Sequence, residues 1–403
     1  MRAALLTREY PPEVYGGAGV HVDELSRELA KLMAVDVHCW GAARPEPSEG
    51  APTVQAHTAW DALAGEAPEL AALRTMSINL AMVPAINGAD LVHSHTWYAN
   101  LGGHLAKLTY DLPHVVTTHS LEPLRPWKRE QLGGGYALSS FCERTGIEHA
   151  DAIVAVSEGM RADVLAAYPA VDPDRVQVIH NGIDTAVYAP DADTDVLRAN
   201  GVDPDRPSVL YVGRITRQKG LTHLLDAAHH LDASAQLVLC AGVPDTPEIG
   251  AEVAAAVAAL REVRDGVVWI DRMVSKREVV QLLTHATVFV CPSIYEPMGI
   301  VNLEAMGCET AVVASAVGGI PEVVVDGETG LLVPFEPGAD DWGSPADPDG
   351  FARALAGRID ELVADPARAA AMGRAGRTRA VESFSWSAIA ERTAALYRAL
   401  IAA

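Results

Sequence analysis

The chain has 403 residues, of which 49% are hydrophobic and 21% charged, and its formal net charge is −22. That length exceeds one ordinary core and suits two domains of about 200 residues each, and the composition excludes a disordered chain. So negative a protein disfavours nucleic acid or an anionic membrane as partner, and no apolar run reaches the roughly 18–20 residues of a membrane span.

Met1 to Thr7 holds an apolar stretch too short for a signal-peptide core, so a cytoplasmic location is expected. The five cysteines are scattered without CxxC spacing, which predicts buried thiols rather than disulfides or a zinc site. In chain order, apolar runs at Ala3–Leu6, Leu91–His93, His114–Thr118 and Ile153–Val156 predict parallel strands. After the first of them, Val22, Leu25, Leu29 and Leu32 recur at helical spacing. A segment rich in Asp, Pro and Gly, 190–207, follows the run Val176–His180. The series then restarts at Val209–Gly213, Gln236–Cys240, Val267–Ile270, Thr287–Cys291 and Ala311–Ala314. Alternation of this kind predicts an α/β protein with two Rossmann-like, doubly wound domains, 1–185 and 186–384, facing across a crevice. The last amphipathic helix, 385–403, either caps its own domain or crosses back to the first.

Three stretches carry candidate chemistry. Tyr15-Gly16-Gly17-Ala18-Gly19 follows a strand and opens a helix, where backbone amides can approach an anion. It does not fit the dinucleotide fingerprint G-x-G-x-x-G, because the last glycine is missing; a tight turn is the other reading. Arg214, Arg217 and Lys219 place three cations within six residues after a strand of a very acidic protein. Such groups can neutralise a diphosphate as it leaves. Glu296 and Glu304 are eight residues apart, the first on a loop after a strand and the second two turns into an apolar helix. Gly299, Ile300 and Val301 form that helix's start, with amides open to an anion or to hydroxyls. A glutamate among Val301, Leu303, Ala305 and Met306 needs a partner.

Together the Glu296/Glu304 pair, the Arg214–Lys219 segment, the Gly16-Gly17 loop and the turn His180-Asn181-Gly182-Ile183-Asp184 resemble the retaining GT-B glycosyltransferases of the glycogen synthase and family-4 type. The resemblance spans nearly the whole chain, with the motifs in the family's order. It implies a hexosyltransferase using ADP-glucose, in which Arg214 and Lys219 hold the donor diphosphate. It further implies that Glu304 binds the ribose, that Glu296 with the amides of Gly299, Ile300 and Val301 orients the glucose, and that Gly16 and Gly17 approach the diphosphate. His119, just after the predicted strand His114–Thr118, would lie against the donor sugar. Where glycogen synthases carry Lys-x-Gly-Gly, this chain has Val14-Tyr15-Gly16-Gly17, which weakens the case for extending a polymer.

Arg125, Lys128 and Arg129 cluster shortly after His119. Three cations suit a phosphorylated acceptor such as glucose-1-phosphate better than a neutral glucan end, a basic surface patch being the alternative. His93, His95, Trp97 and Tyr98 flank the acceptor sugar in this reading, core packing being an equal alternative for Trp97 and Tyr98. With no nucleophile-and-base pair, front-face substitution is expected, the leaving diphosphate oxygen taking the acceptor's proton. The expected reaction yields a disaccharide phosphate for α-glucan synthesis, with elongation of glycogen or a non-catalytic nucleotide-sugar binder as rivals. No cofactor and no metal are expected; the partners are small-molecule substrates, with a homodimer allowed.

Overall fold

The computed structural model describes residues 1–403 except 15, 46, 47, 49, 66, 67, 126–134 and 341. The chain divides into two units, Met1–Gly182 with Trp386–Ala403, and Ile183–Ser385. The crossover thus falls at Gly182, three residues before the expected boundary, and the last helix belongs to the first unit.

The first unit is built on a seven-stranded parallel sheet: β1 (Arg2–Leu6), β2 (Ala34–Trp40), β3 (Thr53–His57), β4 (Leu91–His95), β5 (His114–Thr118), β6 (Ala152–Ala155) and β7 (Val176–Val178). Its order is β3-β2-β1-β4-β5-β6-β7, so the winding reverses between β1 and β4. β1, β4, β5 and β6 are buried on both faces and therefore read as apolar runs. β2 and β3, towards one edge, alternate polar residues such as Asp36, His38 and Gln55 with apolar ones, and no uninterrupted run announces them.

The C-terminal helix Trp386–Ala402 covers one face of this sheet. Trp386, Ile389, Ala390, Leu396 and Tyr397 join Leu5, Val37 and Val115 in one apolar cluster. Each large side chain buried there contributes about 1.5–3 kcal/mol. A Cβ at Gly182 would sit 2.6 Å from the Trp386 ring, so the glycine lets the chain leave the unit directly against the helix that returns to it.

The second unit carries β8 (Ser208–Val212), β9 (Gln236–Cys240), β10 (Val267–Ile270), β11 (Val288–Cys291), β12 (Ala311–Ser315) and β13 (Gly330–Val333), all parallel. The order β10-β9-β8-β11-β12-β13 reverses between β8 and β11. Its helices start where side chains can cap them: Thr246 accepts from Ile249 N, and Ser275 with Glu278 forms a reciprocal capping box. In open α/β sheets, ligands bind beyond the carboxyl ends of the strands at such reversals, and both units carry their clustered polar groups there. All five cysteines are buried and unpaired. Among the described residues no helix is long and apolar enough to cross a membrane.

Candidate active site

In the second unit the loop after β8 carries Arg214 and Lys219, and the loop after β11 carries Glu296. Thr216 Oγ1 accepts the Lys219 amide at 3.2 Å and fixes the turn. Gly220 follows at φ 64°, where a Cβ would lie 1.9 Å from the Pro292 carbonyl; only glycine lets the β8 and β11 loops approach so closely. Lys219 Nζ then reaches Glu296 Oε2 at 2.6 Å, with Ser293 Oγ donating to the same oxygen at 3.2 Å. Burial lowers the Lys219 pKa, but the Glu296 charge outweighs it and holds the ammonium above its ordinary value. Arg214 Nη1 pairs with Asp245 Oδ1 at 3.1 Å.

Gly299, at φ 88°, caps the helix Ile300–Gly307. Its first turn offers amides where the helix dipole favours negative charge. Glu304 is half-buried on that helix, and burial pushes its pKa up to about 7, which the hydrogen bond from Tyr188 and the charge of Lys276 only partly offset. The partner that this glutamate required is therefore Tyr188, beyond the reach of any local spacing rule. The structure thus gathers Arg214, Lys219, Glu296, Gly299, Ile300, Val301 and Glu304 on the β8 and β11 loops and the helix that follows. It adds Asn302, fully buried, whose side-chain oxygen and nitrogen meet no protein partner. No sequence signal singled Asn302 out, since a polar residue on an apolar helix is an ordinary surface position.

In the first unit, His95 closes β4, His119 follows β5 and His21 projects from the helix Gly17–Ala30. His95 stacks on His119 with ring centroids 5.5 Å apart, and His21 lies edge-on to His119 at 4.7 Å. Asn181 Oδ1 binds His21 Nδ1 at 2.6 Å. Burial drops His21 to about 4 and takes His95 and His119 well below their ordinary value, so all three are neutral imidazoles near pH 7. One ring nitrogen from each lies within 4.8 Å of the others, a spacing able to hold a metal ion. The three come from stretches far apart in sequence, so this grouping escaped the spacing patterns by which metal sites are read.

Several expectations need correction. His93 does not face a ligand: it is buried, with Nδ1 bonded to the Tyr397 hydroxyl and Nε2 2.7 Å from Thr117 Oγ1. For Trp97 the core alternative holds: it is 4% exposed and stacked on Tyr98. The Gly16 amide is taken by Glu9 Oε2 at 2.7 Å, and the tight approach belongs to Gly19, where a Cβ would meet the Glu9 side chain at 2.8 Å. Gly17 opens the helix, as the glycine loop suggested. Arg125 is bound to the fully buried Glu122, which also accepts from Ser139 at 2.8 Å. Its charge is therefore spent inside the unit rather than offered as a free cation. Lys128 and Arg129 lie outside the described residues.

The whole chain has known relatives. Residues 15–187 match Glycosyltransferase Family 4, and residues 193–379 match Glycosyl transferases group 1. The α-maltose-1-phosphate synthase of Mycolicibacterium smegmatis is 55% identical over 407 residues, covering 99% of both chains. That of Mycobacterium tuberculosis is 54% identical over 405 residues and 100% of both. Among solved structures, the sucrose-phosphate synthase of Thermosynechococcus elongatus superposes with a TM-score of 0.79 at 28% identity, covering 100% of this chain and 99% of that one. With two doubly wound parallel sheets, each carrying its polar cluster at the strand reversal, and end-to-end identity of this order, the chain belongs to the GT-B glycosyltransferases that pair a family-4 first domain with a group 1 second domain.

Proposed function

We propose that this protein is a retaining glucosyltransferase that moves glucose from ADP-glucose to glucose-1-phosphate, releasing ADP and α-maltose-1-phosphate, without metal or cofactor. The observation that carries this reading is the 55% identity, over essentially both full lengths, to a protein named for that product. The second unit supplies chemistry that fits. Lys219 and Arg214 exchange their present carboxylate partners for the donor diphosphate, and the first-turn amides of Ile300 and Val301 add fixed dipoles where negative charge grows. Glu296, released from Lys219, orients the glucose hydroxyls, and Glu304 accepts from the ribose. In the first unit, neutral His119 lies against the donor sugar, and Gly17 brings helix amides to the diphosphate.

The acceptor's hydroxyl oxygen forms the new bond to the anomeric carbon on the face from which the diphosphate oxygen departs. That departing oxygen takes the hydroxyl proton, so the α configuration is kept and no covalent enzyme intermediate is formed. Positioning and electrostatic stabilisation of the leaving group supply most of the rate.

Product identification tests the reading. The protein is incubated with ADP-glucose or UDP-glucose and with either glucose-1-phosphate or glycogen, and products are read by proton and phosphorus NMR. An α-1,4-linked disaccharide phosphate from ADP-glucose and glucose-1-phosphate is the expected outcome. Transfer to glycogen alone would replace it with a polymer synthase.

A further inference from the structure

Beyond the carboxyl ends of β1, β2 and β3 the first unit holds an open pocket of about 520 Å³, lined by residues that include Arg8, Glu9, Glu13, Trp40, His57 and Ile78. None of the groups given a role in transfer lines it, and its size is that of a small-molecule site. Its carboxylates are engaged. Glu13 pairs with Arg44 at 2.6 Å, and Glu9 receives the Gly16 amide at 2.7 Å. Arg8 is exposed and makes no ion pair among the described residues. Its guanidinium lies 4.4 Å from the centre of the Tyr98 ring and 5.4 Å from that of Trp40, two rings set edge-on at 89°. Cation–π contact of this kind holds the guanidinium beside the rings without consuming its N–H donors, and those donors match two oxygens of one phosphate. In a protein of charge −22, an arginine held by aromatic rings and with no carboxylate partner among the described residues is a place for an anion.

We propose that this pocket is the acceptor's phosphate subsite, in which Arg8, held on Tyr98 and Trp40, binds the phosphomonoester of the acceptor sugar. The proposal rests on the reading of a phosphorylated acceptor and moves its recognition from Arg125, already neutralised by Glu122, to Arg8. The same chemistry would accept free inorganic phosphate, which then competes with the acceptor.

The test uses the full chain and its Arg8→Ala and Arg8→Lys forms. Steady-state kinetics vary glucose-1-phosphate and ADP-glucose separately, and calorimetry measures glucose-1-phosphate and inorganic phosphate binding without donor. Loss of a charge-assisted pair predicts a KM for glucose-1-phosphate raised about ten- to hundredfold in Arg8→Ala. The KM for ADP-glucose stays within about twofold, Arg8→Lys recovers part of the loss, and both phosphate ligands weaken together. If Arg8→Ala binds and uses glucose-1-phosphate as the parent does, the subsite is refuted while the reaction stands. If the parent neither binds nor uses glucose-1-phosphate, the functional reading and the subsite fall together. Weaker phosphate binding with an unchanged acceptor KM would also overturn the proposal, marking Arg8 as a site for the free ion.

Discussion

Lys219 Nζ and Glu296 Oε2 lie 2.6 Å apart, joined across 77 residues by two loops that only glycine at 220 lets meet. Each is the other's counter-ion while no donor is bound, and each is the group proposed to hold a different end of that donor. Removing one leaves the other's charge uncompensated in a largely buried place. Lys219→Met is therefore expected to lower kcat/KM for ADP-glucose about 10²–10³-fold and to destabilise the second unit by about 3 kcal/mol. Pairing it with Glu296→Gln should return part of that stability without returning activity. Calorimetric unfolding and kinetics of the four proteins in a double-mutant cycle check both statements; a double variant that loses the sum of the two single losses would show that the pair contributes nothing to stability.

Asn302 offers the opposite trade. Its buried amide meets no protein partner, and its Nδ2 would lie 2.5 Å from a Cβ at Gly299, beside the head of the helix assigned to the donor. Replacing a buried, unsatisfied polar group by an apolar one of the same shape is stabilising. Asn302→Leu should raise the melting temperature by about 2–4 °C and lower kcat/KM for ADP-glucose about tenfold by shifting the helix head proposed to hold the donor. A more stable variant of unchanged activity would assign Asn302 to the fold alone.

The buried carboxyl of Glu143 predicts a pH dependence. Burial and the neighbouring Glu122 push it up to about 8, against a hydrogen bond from Tyr168. The folded protein then binds a proton that the unfolded chain releases near pH 4.5. Stability from this group is full below about pH 4.5 and falls as pH rises towards 8. Glu304, at about 7, acts in the same direction. Buried neutral histidines such as His114, lowered to about 3, act in the other, costing stability as pH falls below 6.5. Glu143→Gln should flatten the alkaline side of the melting temperature against pH profile between pH 5 and 8; an unaltered slope would contradict the raised value.

The trio His21, His95 and His119 bears on metals. Chelators are expected to leave transfer unimpaired, because no step described here needs a metal ion. Added Zn²⁺ or Ni²⁺ should inhibit, since neutral imidazoles bind such borderline ions well and a dication held by His119, the residue proposed to lie against the donor sugar, opposes positive charge at the anomeric carbon. Co²⁺ absorption in the parent and in His95→Ala would show whether the trio is the seat of inhibition. A rate that collapses in chelator would instead make the ion part of the enzyme.

Much of this was legible because it is local. The β8, β9 and β10 runs and the Glu296/Glu304 spacing are continuous in sequence, and a strand end, a glycine and a helix start fix where their side chains emerge. β2 and β3 were not legible, because polar residues such as Asp36, His38 and Gln55 break the apolar run by which buried strands announce themselves. The Arg125 pairing was within reach, since Glu122 stands only three residues before it. Reading charge by local density alone missed it.

The sequence by itself determined the alternation of strand and helix, the two sheets, and which loops carry cations, carboxylates and glycines, since these follow from periodicity and backbone sterics over a few residues. Only the tertiary structure decided which polar groups are spent and which stay available. Tyr397 occupies His93 from 304 residues away, Asn181 orients His21 from 160, and Tyr98 with Trp40 holds Arg8 without neutralising it. Hydrogen bonds and ion pairs depend on distances of about 3 Å in space, and separation along a chain sets no such distance until the core has packed.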